Sequence, residues 1–500
     1  MEFLTNLEIG FAAAFSPWNL LYCFIGCLLG TLIGVLPGLG PAATIAMLLP
    51  ITYTLDPTAS LIMLAGIYYG AQYGGSTTAI LVNLPGEASS IVTALDGHEL
   101  AKQGRGGLAL STAALGSFTA GCIATVVIAL FAPLLAEAAL EFGAAEYFSL
   151  MVLGLVASVV LARGSLVKAL GMIILGLLIG IVGTDGYSGI DRFTFGQLEL
   201  VDGVSLVAVA MGMFGLGEII ENLSRKDPER AVFSASVRNM LPSFADLRAI
   251  AAPVLRGTTM GTVLGILPGG GALISSFAAY ALEKKLSKHP ERFGRGAIEG
   301  VAAPESANNA GAQTAFIPML TLGIPSNVII ALMAGALILQ GIQPGPGIIR
   351  DQPDLFWGLV VSMWVGNLML VILNLPLVGI WVRLLTIPYQ FLFPAIMVFC
   401  GIGVYTLAGS TMDLHVLVLF GLVGYVFRKL ECEPAPMLLG MVLGPMMEEY
   451  LRRSLLLSRG DLTVFVTRPL SASLLAIAVI AIIAVALPYV RRRRDEALEE

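Results

Sequence analysis

Histidine and cysteine are scarce in this 500-residue chain, with three of the former and five of the latter. That leaves little from which to build a transition-metal centre, which wants imidazole or thiolate ligands. It also leaves no visible disulfide framework. Cys23 and Cys27 stand at i, i+4 on one apolar helix face with no histidine nearby, a spacing read as packing. Cys122, Cys400 and Cys432 are isolated. Charge is sparse as well: 12% of residues are Asp, Glu, Lys or Arg, against about 25% in soluble domains. No HExxH, GxSxG or P-loop pattern occurs, so an enzyme reading has little to rest on. The opening MEFLTNLEIG contains no Lys or Arg, so no cleaved targeting segment is expected.

What is there is apolar. Hydrophobic residues make up 57% of the chain, the mean hydropathy is +0.86, and runs near 20 residues recur, the length that spans a bilayer. The fold class expected is an all-α polytopic membrane protein. One stretch organises it: Gly30–Pro50, GTLIGVLPGLGPAATIAMLLP, an apolar run broken by Pro37, Gly38, Gly40 and Pro41. A second copy, GTVLGILPGGGALISSFAAYA, begins at Gly261, an offset of 231 residues (261 − 30). Proline removes a backbone donor and clashes with the preceding turn, so helices stop there. In hydrocarbon the freed polar groups survive only where they line a cavity. Paired breaks of this kind in two halves of a chain point to a transporter binding site.

Two further polar stretches interrupt apolar surroundings, Gly70–Ser90 and Ala303–Asn327. Each has a Thr-rich entry, an apolar run and a second Pro break, the pattern of a re-entrant hairpin. The expected organisation is therefore a first half, 1–223, with a broken motif at 34–41 and a hairpin at 70–90. A cytoplasmic connection, 224–249, leads to a second half, 250–469, with a broken motif at 265–271 and a hairpin at 303–327. A last span and basic tail occupy 470–500. Charge placement makes the repeat an inverted one. Ile51–Ser60 has no Lys or Arg, whereas its counterpart Glu283–Gly296 has Lys284, Lys285, Lys288, Arg292 and Arg295. Asp96–Gly107 has Lys102 and Arg105, whereas its counterpart Gly341–Asp354 has only Arg350. By the positive-inside rule each pair faces opposite sides, so the breaks meet near the midplane. The run Arg491–Arg494 puts the C-terminus in the cytoplasm, and the uncharged N-terminal flank suggests an external N-terminus.

The candidate site residues are Gly38, Gly40, Thr77, Thr78, Asn83, Gly269, Gly271, Asn308, Asn309, Thr314 and Ser326, with Glu305 as an orienting acid. Hydroxyls, amides and bare carbonyls suit a dehydrated Na⁺ or a small carboxylate. The four segments contain no Lys or Arg, so an anion would rely on helix N-termini and co-bound cations. The competing reading is that small and hydroxyl residues simply let helices pack closely. Glu87 reads as a solvated cap near an interface, and Glu218 and Glu221 as a solvated span end beside Arg225. Glu448, Glu449, Arg452 and Arg453 read as an intrahelical ion-pair set. No cofactor is expected beyond Na⁺ as a coupling ion, and no nucleic-acid partner.

With those residues in hand, the chain resembles the TctA family, the large membrane subunit of tripartite tricarboxylate transporters, end to end. The resemblance is carried by GVLPGLGPAATIAMLLP, YYGAQYGGSTTAILVNLPGEASS, LPGGGALISSFAAYALEKKLSK, GAIEGVAAPESANNAGAQTAFIPMLTLGIPS and EPAPMLLGMVLGPMMEEYLRRSLLLSRGD. It implies a secondary transporter, not an enzyme, in a bacterial inner membrane. It further implies import of carboxylates powered by Na⁺ rather than H⁺, a periplasmic solute-binding protein (TctC-like) and a small four-helix membrane subunit (TctB-like). A passive channel or scaffold subunit is the alternative.

Overall fold

The computed structural model describes residues 2–36, 40–84, 86–162, 165–224, 240–267, 271–385 and 389–486. Pro37, Gly38, Pro268, Gly269, most of the connection at 224–249 and Arg491–Arg494 lie outside the described residues. The first half runs α1 (Glu2–Ala14), α2 (Pro17–Val35), α3 (Pro41–Tyr53), α4 (Pro57–Val82), α5 (Ile91–Lys102), α6 (Gly106–Leu140), α7 (Ala144–Leu161) and α8 (Leu166–Gly180). A two-residue ribbon follows, β1 (Gly183–Thr184) antiparallel to β2 (Asp191–Arg192). Then comes a helix of three consecutive pieces, α9 (Leu206–Ala210), a π-helical turn Met211–Leu216 and α10 (Gly217–Ser224). The second half runs α11 (Phe244–Gly265), α12 (Gly271–Leu286), α13 (Glu299–Thr314), α14 (Phe316–Leu322), α15 (Val328–Leu339), α16 (Ile348–Asp351) and α17 (Pro353–Asn374). It closes with α18 (Val378–Leu384), α19 (Tyr389–Ala408), α20 (Thr411–Lys429), α21 (Ala435–Leu457), α22 (Val464–Thr467) and α23 (Pro469–Ala486).

Local chemistry sets the boundaries. Asp56 caps α4 by accepting from the Thr58 amide (2.9 Å), and Pro57 fills the first helical position, where its missing donor costs nothing. Ser243 and Asp246 form a capping box at α11. Asn327 caps α15 through the Ile330 amide (3.0 Å). At their far ends, α4 stops on Asn83 and α14 on Gly323, both left-handed, at φ 59° and 72°.

The two halves are built on a common device. Gly26, Gly30 and Gly34 of α2 step along the backbone of Met63, Ile67 and Ala71 of α4; a Cβ on Gly30 would lie 2.3 Å from the Ile67 carbonyl oxygen. Gly257, Gly261 and Gly265 of α11 step in the same way along Ala303, Ala307 and Gly311 of α13. Without a hydrophobic drive in lipid, such close backbone approach is what holds membrane helices together. The order of contacts makes α2 parallel to α4 and α11 parallel to α13. Thus α2 begins, α3 ends and α4 begins at one end of the molecule. In the second half α11 begins, α12 ends and α13 begins at the opposite end. Arg256 of α11 pins α12 through Glu283 (2.6 Å).

The halves face each other in opposite senses. Tyr69 meets Phe316 (ring centroids 6.1 Å) and Ser76 meets Glu305 (2.7 Å), so α4 and α13 run antiparallel. At one end, Gln103 donates to the Arg295 carbonyl (2.9 Å). There Asp96, fully buried, accepts from the amides of Gly296 (2.8 Å) and Ala297 (2.7 Å) and from the Tyr280 hydroxyl (2.9 Å). At the other end, Gln340 donates to the carbonyls of Thr52 (3.2 Å) and Leu55 (3.3 Å). The two Lys/Arg-rich connections therefore touch each other, and so do the two Lys/Arg-poor ones.

The expected hairpins have a different form. Residues 70–82 are the second half of the continuous helix α4, and 303–322 run through α13 and α14 before the chain breaks at Gly323. Both stretches belong to broken crossings, α4 to α5 and α13 to α15. The arms that return to their own end are α2 with α3 and α11 with α12. The hydroxyls of the polar run are satisfied without breaking the helix. Thr77 donates to the Tyr73 carbonyl (3.2 Å), and Thr78 shares its one proton between the carbonyls of Gly74 (3.1 Å) and Gly34 of α2 (3.3 Å).

Among the described residues, five helical stretches are long and apolar enough to cross a membrane: Pro17–Val35, Gly106–Leu140, Leu206–Leu223, Pro353–Asn374 and Thr411–Lys429. Shorter apolar helices, including Leu166–Gly180, Val328–Leu339 and Pro469–Val485, accompany them. The outward faces are apolar too: Leu130, Phe131 and Leu134 of α6 and Val479, Ile480 and Ile483 of α23 are exposed. This is a multi-pass membrane protein. From the connection at 103–105 the chain crosses in α6, returns in α7, crosses in α8 and returns through α9 and α10. Lys168 and Glu218–Glu221 thus lie at the basic end, and the ribbon loop lies at the other.

Candidate functional site

A cavity of about 790 Å³ opens where the two halves meet, within the range of small-molecule sites. Four α-helices begin on it: α3 with Gly40, Pro41 and Ala42, α12 with Gly271, Ala272 and Leu273, α15 with Asn327, Val328 and Ile329, and α21 with Pro434 and Ala435. Glu87, Ala88 and Ser89, at the start of a short 3₁₀ turn, line it as well. Tyr68 and Gln72 of α4 complete this part of the wall. A helix N-terminus carries unpaired amides and roughly half a positive charge. Four of them on one space offer an anion amide donors.

The remaining wall is Phe214, Glu218, Glu221, Arg428, Glu431, Cys432 and Glu433. Arg428 binds Glu218 (3.2 Å) and Glu221 (3.1 Å), so these two acids are paired rather than solvated. The Leu430 carbonyl accepts from Lys168 (2.6 Å), which places this wall at the end shared by the basic connections. Phe214 lies on the π-helical turn, an irregularity frequent at functional sites.

The predicted residues divide into groups. Gly40 and Gly271 line the cavity, whereas Gly38 and Gly269 lie outside the described residues. Asn308, fully buried, reaches it indirectly: its amide donates to Glu87 (3.1 Å), while its Oδ1 has no partner among the described residues. Thr77 and Glu305 border a second, much smaller void of about 10 Å³. Asn309 sits behind them, donating to Ser117 (2.6 Å) and to the Glu305 carbonyl (3.2 Å). Thr78 bonds the Gly34 carbonyl (3.3 Å), Thr314 that of Ala310 (2.9 Å) and Ser326 that of Ala315 (3.0 Å). Asn83 is the exposed left-handed cap of α4 and does not line the cavity.

Glu305 is the most enclosed acid of the set, 1% exposed. Ser76 donates to its carboxylate (2.7 Å), as do Thr93 (2.5 Å) and Ser117 (3.4 Å). Three hydroxyls from α4, α5 and α6 thus converge on one carboxylate from α13. Sequence reasoning did not assign Tyr68, Gln72, Ser89 or Arg428 to the site. A signal existed for two of them: Tyr68, Gln72 and Ser76 stand at i, i+4, i+8, a polar stripe on an otherwise apolar helix. Arg428 gave none, since only folding brings the ends of α10 and α20 together.

The sequence pattern of the tripartite tricarboxylate transporter TctA family matches residues 20–439. A protein of Agrobacterium vitis, described as an uncharacterized 52.8 kDa protein in the TAR-I ttuC' 3' region, is 59% identical over 500 residues, covering 100% of this chain and 99% of that one. A second from Agrobacterium vitis, described as an uncharacterized protein in the TAR-II ttuC' 3' region, is 58% identical over 240 residues, 48% of this chain and 99% of that one. No solved structure matches.

Proposed function

The chain belongs to the tripartite tricarboxylate transporter TctA family, and from that premise we propose that it is the transport subunit of a cation-coupled importer of small di- and tricarboxylates. The observation that carries this reading is the cavity on which four α-helices begin. A carboxylate seated there accepts from the free amides of α3, α12 and α15. Glu87, Glu431 and Glu433 share the wall, so an incoming anion meets acidic groups. A co-transported cation removes that repulsion, and Na⁺ entering down 100 mV contributes about 2.3 kcal/mol per charge.

The arrangement of the halves supports inverted-topology repeats that alternate access to the cavity. Lys102, Arg105 and Arg295 share one end, which the positive-inside rule makes cytoplasmic. The wall that holds Arg428 and Glu431 lies toward that side. The same rule puts the C-terminus inside and the ribbon loop outside, facing a periplasmic binding protein that delivers substrate. A small membrane subunit completes the assembly in the bacterial inner membrane.

The test is uptake by liposomes holding this chain and its small membrane subunit, with the binding protein outside and labelled di- and tricarboxylates offered in turn. Saturable accumulation driven by an imposed Na⁺ gradient is the expected result. Accumulation that ignores both Na⁺ and H⁺ gradients, or flux that never saturates, as through a channel, overturns it.

A further inference from the structure

We propose that the Glu305 void, separate from the cavity, binds one dehydrated Na⁺; this rests on the cation-coupled reading and gives the ion an address. Glu305 is buried among α4, α5, α6 and α13, and its described partners are neutral hydroxyls. A carboxylate at membrane depth costs roughly 2.5–3.5 kcal/mol to place and ordinarily keeps a compensating cation or proton. Beside it lies a void of about 10 Å³, bordered by the polar residues Tyr73, Ser76, Thr77, Ser117, Glu305 and Asn374 together with Leu and Ala side chains of α6 and the end of α17. That is room for about one water-sized sphere.

A second observation points to an occupant. The Tyr73 hydroxyl, on a side chain 4% exposed that borders this void, has no hydrogen-bond partner among the described residues. An orphaned buried hydroxyl carries a desolvation cost of about 1–3 kcal/mol unless something fills the space beside it. The ligand set is oxygen throughout, one carboxylate plus hydroxyls, which suits a hard cation. Among the described residues no lysine, arginine or histidine borders the void, and a bound cation would balance Glu305. The hydroxyl protons that now point at the carboxylate leave oxygen lone pairs free to turn toward a cation.

The position also links the ion to the cavity. Glu305 and Asn308 are one turn apart on α13, and Asn308 holds Glu87 in the cavity wall. On α4, Ser76 touches Glu305 and Gln72, one turn earlier, lines the cavity. Filling the void fixes both helices at the points from which they present Asn308 and Gln72.

The experiment is thermal unfolding of the purified full chain in detergent, with no carboxylate present. NaCl is titrated against KCl and choline chloride at constant ionic strength, at pH 6 and pH 8. The wild type is expected to show a saturable rise of several degrees that only Na⁺ produces. Glu305→Gln loses it, and Ser76→Ala or Ser117→Ala raises the half-saturating Na⁺ at least tenfold. Thr258→Ala, a buried hydroxyl of α11 outside the cluster, keeps the wild-type response. Should Glu305→Gln fold poorly, the two Ser variants decide the matter alone. Equal responses to all three salts, an unchanged Na⁺ response in Glu305→Gln and both Ser variants, or a midpoint that follows pH and not Na⁺ each overturn the assignment. Because no carboxylate is present, such failure leaves the carboxylate reading standing. Conversely, a Na⁺ response without carboxylate uptake sinks the other.

Discussion

Asn308 carries a disproportionate share of the site for one side chain. Its amide is the hydrogen-bond donor that Glu87 receives from the second half of the chain. Losing that bond is expected to cost about 1–3 kcal/mol of stability. Because it is made within the folded chain, Asn308→Ala should lower the thermal unfolding midpoint of the purified protein, and an unchanged midpoint would deny the bond a stabilising role. The pair Asn308-Asn309 was legible as a polar cluster inside an apolar run. What was not legible is that the two neighbours serve different places, one the cavity wall and the other the Glu305 cluster, because helical turn separates them. Thr77 and Thr78 divide similarly, one bordering the void and the other bonded to α2.

Asp185, in the ribbon loop outside the spans, gives a pH dependence with a definite sign. The Tyr187 amide first, then the Ser188 hydroxyl and the Arg452 guanidinium, hold its carboxyl down to about 2. The unfolded chain binds the proton near pH 3.9. Its stabilising effect is thus complete above about pH 4 and is lost as pH falls toward 2. Over that window the wild-type unfolding midpoint should fall more steeply than that of Asp185→Asn. The ion-pair set expected within α21 is real in part, since Arg452 binds Glu448 one turn away (2.7 Å). It also crosses to Asp185 and, through Glu448, to Arg192 (2.9 Å), contacts that no helical spacing announces.

At the scale of elements, the glycine rows of α2 and α11 decide whether the halves assemble. A side chain at Gly30 meets the Ile67 carbonyl at 2.3 Å, and one at Gly261 meets that of Ala307 at the same distance. Gly30→Val and Gly261→Val are each expected to cost about 1–3 kcal/mol, the range for overpacking, seen as a lowered unfolding midpoint. Gly40→Ala is the contrast: nothing lies within 4 Å of the added Cβ and φ is −78°, so the midpoint should hold. The 231-residue repeat displayed these glycines openly. It did not display which broken segments return to their own end and which cross. The sequence shows a polar run such as GGSTT as an interruption, but its hydroxyls bond to carbonyls of α4 and α2 without breaking the helix. The real stop comes at Asn83, where the chain enters the left-handed region.

For the whole molecule, the contacts between connections imply two chemically distinct faces. Lys288 is exposed on the basic face, and Ile190 is 66% exposed in the loop at the opposite end. In intact cells a membrane-impermeant maleimide should label Ile190→Cys and spare Lys288→Cys until the membrane is opened, in a background lacking the five native cysteines. The reverse pattern would invert the orientation. The charge bias of the connections was legible in the sequence, because Lys and Arg counts in short connections survive whatever the helices do between them.

The fastenings between the halves are unequal. On the Lys/Arg-rich side a buried carboxylate, Asp96, gathers three donors, bonds roughly twice as strong as neutral ones. On the other side a single uncharged amide, Gln340, spans two carbonyls. Removing Asp96 therefore strands three donors around one buried position, whereas removing Gln340 releases two carbonyls that only a neutral amide had bound.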